Sequence, residues 1–252
     1  MPSTVRLVSV VRDFEMYRQC ILDNPWCQGL DILTLDNRTV NRFIPLCYNE
    51  VLAACKPEED TWLVFCHEDW HPECDLCALL EPLDRTRLYG PIGVYVEEGR
   101  MSDFIHIFGH VRHCRKDGSA PRTVKGRKDE DQVDTFDCQC LIVHSSLVCR
   151  YGLRFDERLS FDLYVEDFCV SALERYGIES HTLAIECTHF SKGKIGERFY
   201  QSLAYLQEKY AASDKRYGTI VGKKNSFGRN CGKRIHHYRK SLLSLLCYYI
   251  NK

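Results

Sequence analysis

The sequence predicts an α/β fold around a mostly parallel sheet, and the pattern of its first 70 or so residues carries this prediction. Short apolar runs at 5–11, 30–35 and 61–66 alternate with stretches of helical spacing that end near residue 24 and cover 43–55. Continuous apolar runs of this length are typical of strands that are buried on both faces. Strands that alternate with helices indicate βαβ units, and therefore neighbouring parallel strands.

The second half of the chain predicts further strands and helices around one long loop. Residues 114–132 are rich in Lys, Arg, Gly, Ser, Pro and Asp, which predicts a mobile loop. A helix that reaches residue 176 has Gly177 behind it as a plausible C-cap. The predicted strands are 92–96, 104–111, 133–143 and 181–187, and the predicted helices are 168–176 and 195–210.

Length and charge divide the chain into two parts. A chain of 252 residues can bury one large core, with room for a small appendage. Ten Lys or Arg and no acid lie in 215–252, so the overall net charge of −1 leaves −11 on the first 214 residues. We therefore predict a main domain at 1–212 and a basic, partly apolar helical extension at 213–252. The acidic main domain would repel phosphates, which argues against a nucleic-acid partner.

The cysteines and the apolar runs indicate a cytoplasmic protein. The 15 cysteines are odd in number and mostly lie inside apolar runs, and no secretory leader precedes them. They are expected to be reduced thiols in a core. No apolar run in the sequence has the length needed to cross a bilayer.

Acidic and histidine-bearing segments follow several predicted strands. They are 65–70, 164–168 and 188–193, and Asp36 and Asn37 close the second strand. Ligands of parallel sheets bind at the carboxyl ends of the strands. Carboxylates and a histidine at such ends suggest a divalent metal beside a general base, which is the equipment for attack on a phosphate-linked substrate.

In this order and spacing the segments resemble the A-type (GT-A) glycosyltransferases, specifically the large inverting family of nucleotide-sugar transferases. The resemblance is closest to a bacterial branch that carries a His-x-Asp variant of the Asp-x-Asp motif, and it covers roughly residues 5–195. It implies a Rossmann-like fold with a mixed, mostly parallel sheet flanked by helices, and a role in polysaccharide biosynthesis. The matching stretches are Leu35-Asp36-Asn37, Tyr48-Asn49, 62–69, 90–94, 153–159, 164–167 and 189–193.

The resemblance also implies which residues bind the donor. Those assigned to its nucleotide are Arg12, Asp36, Asn37 and Asn49. Those assigned to a divalent metal, Mn²⁺ or Mg²⁺, are Asp69, His67 and His189. His67 stands where the family usually has its first Asp, and a neutral imidazole can bind Mn²⁺ but supplies no charge. Metal affinity is therefore expected to be weak.

The acceptor side takes three further residues. The resemblance assigns the general base to Asp167, beside Glu166, and we place Asp137 at the border of the acceptor pocket. The acceptor hydroxyl is a poor nucleophile at neutral pH, so a carboxylate must take its proton during the attack. Adjacent residues on a helix point about 100° apart, so one of the pair is enough, and Asp167 is favoured.

Simpler interpretations of these residues also remain open. Asp36 alone is about as well explained as a helix N-cap, and His189 alone as a structural or solvated histidine. Asp137 is about as well explained as a strand-edge acid. Because His67 replaces an acid, a catalytically weak or inactive relative that binds nucleotide or glycan is the alternative function.

Two other features compete for a role. His67, His71, Cys74 and Cys77 have zinc-ligand spacing, but the sequence has no second Cys-x-x-Cys pair to close the site. The basic and apolar tail at 229–246 would suit peripheral contact with an anionic membrane face, where a lipid-linked acceptor would lie. A helix packed on the core or on another subunit, with a solvated basic rim, explains this tail slightly better.

Overall fold

The computed structural model of the chain describes residues 3–99, 103–191, 195–221 and 225–229. These residues form a mixed α/β domain with two large sheets, a small hairpin and six α-helices. The prediction of an α/β fold is therefore confirmed.

The elements follow the predicted alternation most closely in the first third of the chain. The helices are α1 (Phe14–Tyr17), α2 (Ile44–Ala54), α3 (Leu76–Leu80), α4 (Ser145–Tyr151), α5 (Tyr164–Tyr176) and α6 (Glu197–Lys209), with a π-helical turn at Arg18–Leu22 and a 3-10 turn at Pro25–Cys27. The strands are β1 (Thr4–Val11), β2 (Asp31–Asp36), β3 (Thr61–Cys66), β4 (Trp70–Pro72), β5 (Leu88–Gly90), β6 (Ile92–Glu97), β7 (Phe104–His113), β8 (Arg122–Lys125), β9 (Gln132–Val133), β10 (Thr135–Phe136), β11 (Cys140–His144), β12 (Ser180–Thr182), β13 (Cys187–His189), β14 (Arg216–Gly218) and β15 (Ser226–Gly228).

The first sheet has the strand order β2-β1-β3-β11-β5-β12-β9. Within the described ranges three of its strand pairs are parallel (β1 with β2, β1 with β3, β5 with β12) and three are antiparallel. The sheet is mixed, as expected, but it is not mostly parallel. The reason lies at β11, which is antiparallel to both of its neighbours, β3 and β5, so the parallel pattern at the start of the chain does not continue.

The second sheet has the order β10-β6-β7-β13-β4, and β8 pairs with β7 in addition to this order. Three predictions from the sequence are wrong for the strands of this second sheet and their neighbours. The single strand expected at 133–143 is divided into β9, β10 and β11, and β10 alone joins the second sheet. The strand expected at 181–187 is likewise divided between β12 and β13. The loop expected at 114–132 contains β8, which pairs with β7. The sequence does not show where the chain passes from one sheet to the other, because the residues before and after this point are both buried.

The core lies on both faces of the first sheet. On one face α2 and α5 pack with a cluster of aromatic rings formed by Tyr48, Phe65, Phe155, Tyr164 and Phe168. Each such ring contributes roughly 1.5–3 kcal/mol on full burial. On the other face Trp62 and Trp70 are fully buried. This packing fixes the ends of β3 and α5, which carry the polar segments.

The predicted C-terminal extension, from residue 213, begins with a hairpin rather than with a helix. β14 pairs with β15, and the hairpin is attached to the main domain because Thr135 donates to the carbonyl of Gly218 (2.8 Å) and Gln207 to that of Ser226 (3.0 Å). The remainder of the predicted extension, from residue 230 to the end, lies outside the described residues.

The thirteen cysteines in the described part of the chain are all free thiols, and nine of them are buried. In that same part no helix is both long enough and apolar enough to cross a membrane.

Candidate active site

A cavity of about 1130 Å³ opens at the carboxyl ends of β1, β3, β7 and β13. All three polar segments that the sequence singled out contribute to its wall, through Glu68, Asp69, Glu166 and His189 among others. Cavities that bind small molecules commonly have volumes of about 300–1,000 Å³, so this one has room for a ligand as large as a nucleotide sugar.

His67, Asp69 and His189 form a cluster whose ligand atoms all lie within 4.8 Å of one another. The sheet brings them together, because His189 is paired with Trp70 across β13 and β4 and so lies beside the end of β3. Asp69 Oδ1 is 3.2 Å from His189 Nε2 and 4.0 Å from His67 Nδ1. The three predicted metal-binding residues are therefore brought together.

Tyr164 fixes the tautomer of His67. The Tyr164 hydroxyl donates to the carbonyl of Cys138 at 3.0 Å, so the 3.0 Å contact between this hydroxyl and His67 Nε2 requires Nε2 to be the donor. The lone pair of His67 is then on Nδ1, the nitrogen that faces Asp69. Burial lowers the pKa of His67, which keeps the ring neutral and able to bind a metal.

His189 is buried without a hydrogen bond to either ring nitrogen from the described residues, and it is 6% exposed. Its 3.2 Å contact with Asp69 is short enough for Coulomb attraction, but the ring N–H is poorly aligned with it. Burial opposes charge on His189, yet the neighbouring Asp69 outweighs it and raises the pKa of the ring. Burial alone would raise the pKa of Asp69, and the two histidines lower it.

This cluster fits a divalent metal ion. An unpartnered buried imidazole, a second imidazole of fixed tautomer and a carboxylate provide two nitrogen donors and one oxygen donor. Imidazole suits Mn²⁺ and the later transition metals better than Mg²⁺ or Ca²⁺, which prefer oxygen.

His113 and Asp137 form a second group with the same His189, and their ligand atoms also lie within 4.8 Å of one another. His113 ends β7 and is the registered partner of His189 on the parallel strand β13, so the two rings lie 5.4 Å apart. Asp137 comes from the turn between β10 and β11 and accepts a hydrogen bond from Gln139 at 3.0 Å.

Glu166, in the first turn of α5, is the acid of the Glu-Asp pair that faces the cavity. It is 2% exposed, and the Cys138 thiol donates to its Oε2 at 3.0 Å. Burial raises the pKa of Glu166 to about 8, with Asp137 adding to the rise. The residue before the helix, Leu163, has φ 65° and ψ 13°, a left-handed conformation that costs a non-glycine residue about 1 kcal/mol. Strain of this kind beside the cavity is typical of a functional segment.

Asp167 points away from the cavity and into the protein. Lys209 of α6 contacts both of its carboxylate oxygens, at 2.6 and 2.9 Å, and the Tyr210 hydroxyl donates to Oδ1 at 2.8 Å. Burial raises the pKa of Asp167 even though Lys209 opposes it. The geometry therefore favours Glu166 over Asp167 as the acid at the cavity, contrary to the preference drawn from the sequence. Because the helix begins at Tyr164, its third residue, Glu166, faces the cavity.

The residues predicted to bind the nucleotide are divided by the structure. Arg12 and Asn37 line the cavity, whereas Asp36 and Asn49 do not. Asp36 is exposed and binds Arg38, with Nη2 at 2.6 Å, and this contact lowers the pKa of Asp36.

Asn49 and Asn37 both hold the chain in place with their amides. Asn49 is buried and clamps the main chain of Phe155, with 2.8 Å to its N–H and 3.0 Å to its carbonyl oxygen. Asn37 clamps the main chain of Arg42 in the same way, at 2.7 and 2.8 Å.

Cationic and aromatic side chains complete the wall. Arg12, Arg115 and Arg122 line the cavity, and none of them has a carboxylate partner among the residues that the structure describes. Phe161 is 40% exposed at the rim, stacks on His67 with 5.4 Å between ring centroids, and is covered by the Arg198 guanidinium at 4.4 Å. A free guanidinium group in a cavity is suited to binding phosphate.

The described residues do not support the alternative of a structural zinc site. His71 Nδ1 lies 3.3 Å from the amide of Asn24, and neither it nor Cys74 and Cys77 belongs to a group within the described ranges that could hold a metal.

Three contributors to the site were missed by reasoning from the sequence. The role of Tyr164, the Cys138 thiol and His113 were not predicted. A signal existed for His113, which ends a strand on the same edge of the sheet as His189. The contacts of Tyr164 and Cys138 depend on the placement of α5 against β11, which no local pattern encodes.

Comparisons with known proteins match the fold and not the sequence. No protein-family model matches the chain, and no curated protein matches it. Its structure is similar to a crystal structure of GalNAc-T7 with UDP, GalNAc and Mn²⁺, with a TM-score of 0.50 and 8% sequence identity over 82% of this chain. The chain spans about half of that structure, 49% of its length. At this identity the likeness shows the fold alone. The fold is therefore similar to that of the A-type (GT-A) glycosyltransferases, and the described residues include a group that could hold a metal.

Proposed function

We propose that the protein transfers a sugar from a nucleotide-sugar donor to a hydroxyl group of a glycan or glycolipid. The observation that carries this proposal is the meeting of a two-histidine, one-carboxylate group and a buried cavity-facing carboxyl, Glu166, in one cavity. The glycosyltransferase-like fold supports it.

On the donor side, His67, Asp69 and His189 would hold a divalent ion, for which we favour Mn²⁺. When bound, the ion supplies positive charge against the diphosphate that leaves. Arg12 and Arg122 are placed to add donors to the same phosphates because their guanidinium groups lack carboxylate partners among the described residues. The nucleoside would lie towards Asn37, at the end of β2.

On the acceptor side, Glu166 acts as the general base. Its carboxylate takes the proton of the acceptor hydroxyl while the oxygen forms a bond to the anomeric carbon and the bond from that carbon to the phosphate oxygen breaks. Direct displacement of this kind inverts the anomeric configuration. Because the pKa of Glu166 is about 8, its basic form is a minority near neutral pH until a nearby positive charge lowers that pKa.

The 40% exposed ring of Phe161 at the rim supports an acceptor with an apolar part, such as a sugar ring or the first part of a lipid. Asp137 borders the same side of the cavity. A lipid-linked acceptor, a cytoplasmic location and contact of the basic tail with the inner face of the membrane form one consistent proposal.

The experiment is a thermal-shift panel of nucleotides and nucleotide sugars with and without Mn²⁺, followed by product analysis. We expect one nucleoside diphosphate series to stabilise the protein, more strongly with Mn²⁺. Glu166→Gln should keep this binding and lose transfer, and NMR of the product should show inverted anomeric configuration. Full transfer by Glu166→Gln would refute the assignment of the base, and retention of configuration would refute direct displacement.

A second candidate function is a nucleotide- or glycan-binding module without activity. Neutral His67 and a Glu166 that is largely protonated at pH 7 favour this candidate. Stabilisation by a nucleotide without turnover of any nucleotide sugar, across pH 6–9 and with Mn²⁺ present, would select it over the enzyme.

A further inference from the structure

His189 belongs to two groups of possible metal ligands, and all of them line the same cavity. One group adds His67 and Asp69 from the segment after β3, and the other adds His113 and Asp137 from the end of β7 and the turn before β11. Each group offers two imidazoles and one carboxylate. The proposed function uses only the first of them.

One ion cannot serve all five residues as they are placed. Donors bound to one ion at about 2.0–2.2 Å lie at most roughly 4.4 Å from each other. The ligand atoms fall into two groups within the 4.8 Å limit instead of one group of five. The ring of His189 lies between the other two histidines, with centroids 5.6 Å from His67 and 5.4 Å from His113.

The state of His189 supplies an independent reason to expect ligands on both sides. It is 6% exposed, and neither Nδ1 nor Nε2 has a hydrogen bond from the described residues. Nε2 has at least the poorly aligned 3.2 Å contact with Asp69, whereas Nδ1 has no partner among the described residues, and a buried polar atom without a partner is rare and costly. A metal ion at a ring nitrogen removes this cost, since the lone pair then has a partner.

We propose that His113, Asp137 and His189 form a second divalent-cation site beside the first. Its two nitrogen donors and one oxygen donor suit Mn²⁺, Co²⁺ or Zn²⁺ and not Mg²⁺ or Ca²⁺. With both sites filled, His189 would serve both ions through its two ring nitrogens, and its ring proton would pass to solvent. The second ion binds more weakly because the two positive charges repel each other.

The second site lies on the acceptor side of the cavity. Asp137 is followed directly by Cys138, whose thiol binds Glu166 at 3.0 Å. An ion at Asp137 therefore brings positive charge close to Glu166 and favours its carboxylate form. This consequence rests on the proposed function, whereas the binding of the ion does not.

The test counts ions on the full-length protein with Mn²⁺ as the probe and no nucleotide present. Titration followed by electron paramagnetic resonance of free Mn²⁺ should give two ions per chain in two steps. Asp137→Asn and His113→Gln should each remove the weaker step, and Asp69→Asn should remove one step as well. His189→Gln should weaken both steps at least tenfold. His181→Gln is the matched control, because that ring lies on β12, contacts Glu179 just before the strand and belongs to neither group.

Thermal melts show which variants are folded. Because the second site is tested at three positions, His113, Asp137 and His189, the test still holds if one variant does not fold. A single ion per chain in the wild type, or two ions that His113→Gln and Asp137→Asn leave unchanged, would overturn the second site. One ion together with Mn²⁺-dependent nucleotide binding would overturn the second site alone. Two ions without any nucleotide binding would instead count against the proposed function.

Discussion

Glu166→Gln should make the protein more stable at neutral pH while removing its proposed activity. In the folded state burial raises the pKa of Glu166 to about 8 from a usual value of 4.5. Asp137 and Asp162 face it with like charge, and the Cys138 thiol opposes the rise only in part. Between these two pKa values the folded protein holds a proton that the unfolded chain has released. Its stability therefore falls as the pH rises from about 4.5 to 8.

The magnitude follows from the size of this shift. A pH of 7 lies 2.5 units above the pKa of 4.5 that Glu166 has in the unfolded chain. Each unit corresponds to about 1.4 kcal/mol, which gives roughly 3 kcal/mol of destabilisation. A glutamine at 166 has no proton to lose, and its amide oxygen can still accept from the Cys138 thiol. The substitution should thus stabilise the fold by about 3 kcal/mol at pH 7 and by little at pH 4.5.

Urea denaturation of the wild type and the variant, in metal-free buffer from pH 4.5 to 8, measures this difference. The gap in unfolding free energy between the two proteins should widen with pH. A gap that stays constant, or a variant that is less stable at pH 7, would refute the account of Glu166 as a buried carboxyl kept for function at the expense of stability.

Two other substitutions follow from the contacts around the site. Asp167→Asn should destabilise the protein by about 2 kcal/mol, since the half-buried Lys209 loses one of its two carboxylate partners and keeps Asp156 at 2.9 Å, and denaturation at pH 7 measures this loss. Tyr164→Phe should keep the aromatic packing but weaken Mn²⁺ binding about tenfold, because it releases His67 from its tautomer. Tyr48→Phe is the control for the latter: its hydroxyl donates to the carbonyl of Cys66 in the same core, so Mn²⁺ affinity should not change.

Each of these has a result that would contradict it. An Asp167→Asn protein as stable as the wild type would mean that its ion pair with Lys209 adds nothing to the fold. Equal losses of Mn²⁺ affinity in Tyr164→Phe and Tyr48→Phe would mean that the effect comes from the core and not from the tautomer of His67.

The sequence predicted the elements that local patterns encode and failed where the chain changes sheets. β3 and α2 are placed to within a residue of the expected bounds, because an unbroken apolar run and an apolar stripe at helical spacing are both local patterns. The run 133–143 is buried at every position except the half-buried Asp137, although it contains Asp134, Thr135 and Gln139, and it crosses from one sheet to the other and back. No periodicity marks such a crossing, since neither sheet face is exposed.

The site was predicted in outline and not in its orientation. His67, Asp69 and His189 meet as the resemblance implied, because the pairing of β13 with β4 places His189 beside the segment that follows β3. The choice between Glu166 and Asp167 depended on where α5 begins. A start at Tyr164, after the left-handed Leu163, turns Glu166 to the cavity and Asp167 to Lys209. Asn49 shows the same limit, since its buried amide fits a clamp on Phe155 as well as it would fit a ligand.

The central claim is that the cavity binds a nucleoside diphosphate through a metal held by His67, Asp69 and His189. Isothermal titration calorimetry of a panel of nucleoside diphosphates, with and without Mn²⁺, tests it most directly. We predict that one of them binds at least tenfold more tightly with Mn²⁺ and that Asp69→Asn abolishes this gain. Binding that is equal with and without Mn²⁺, or no binding of any nucleoside diphosphate, would contradict the claim.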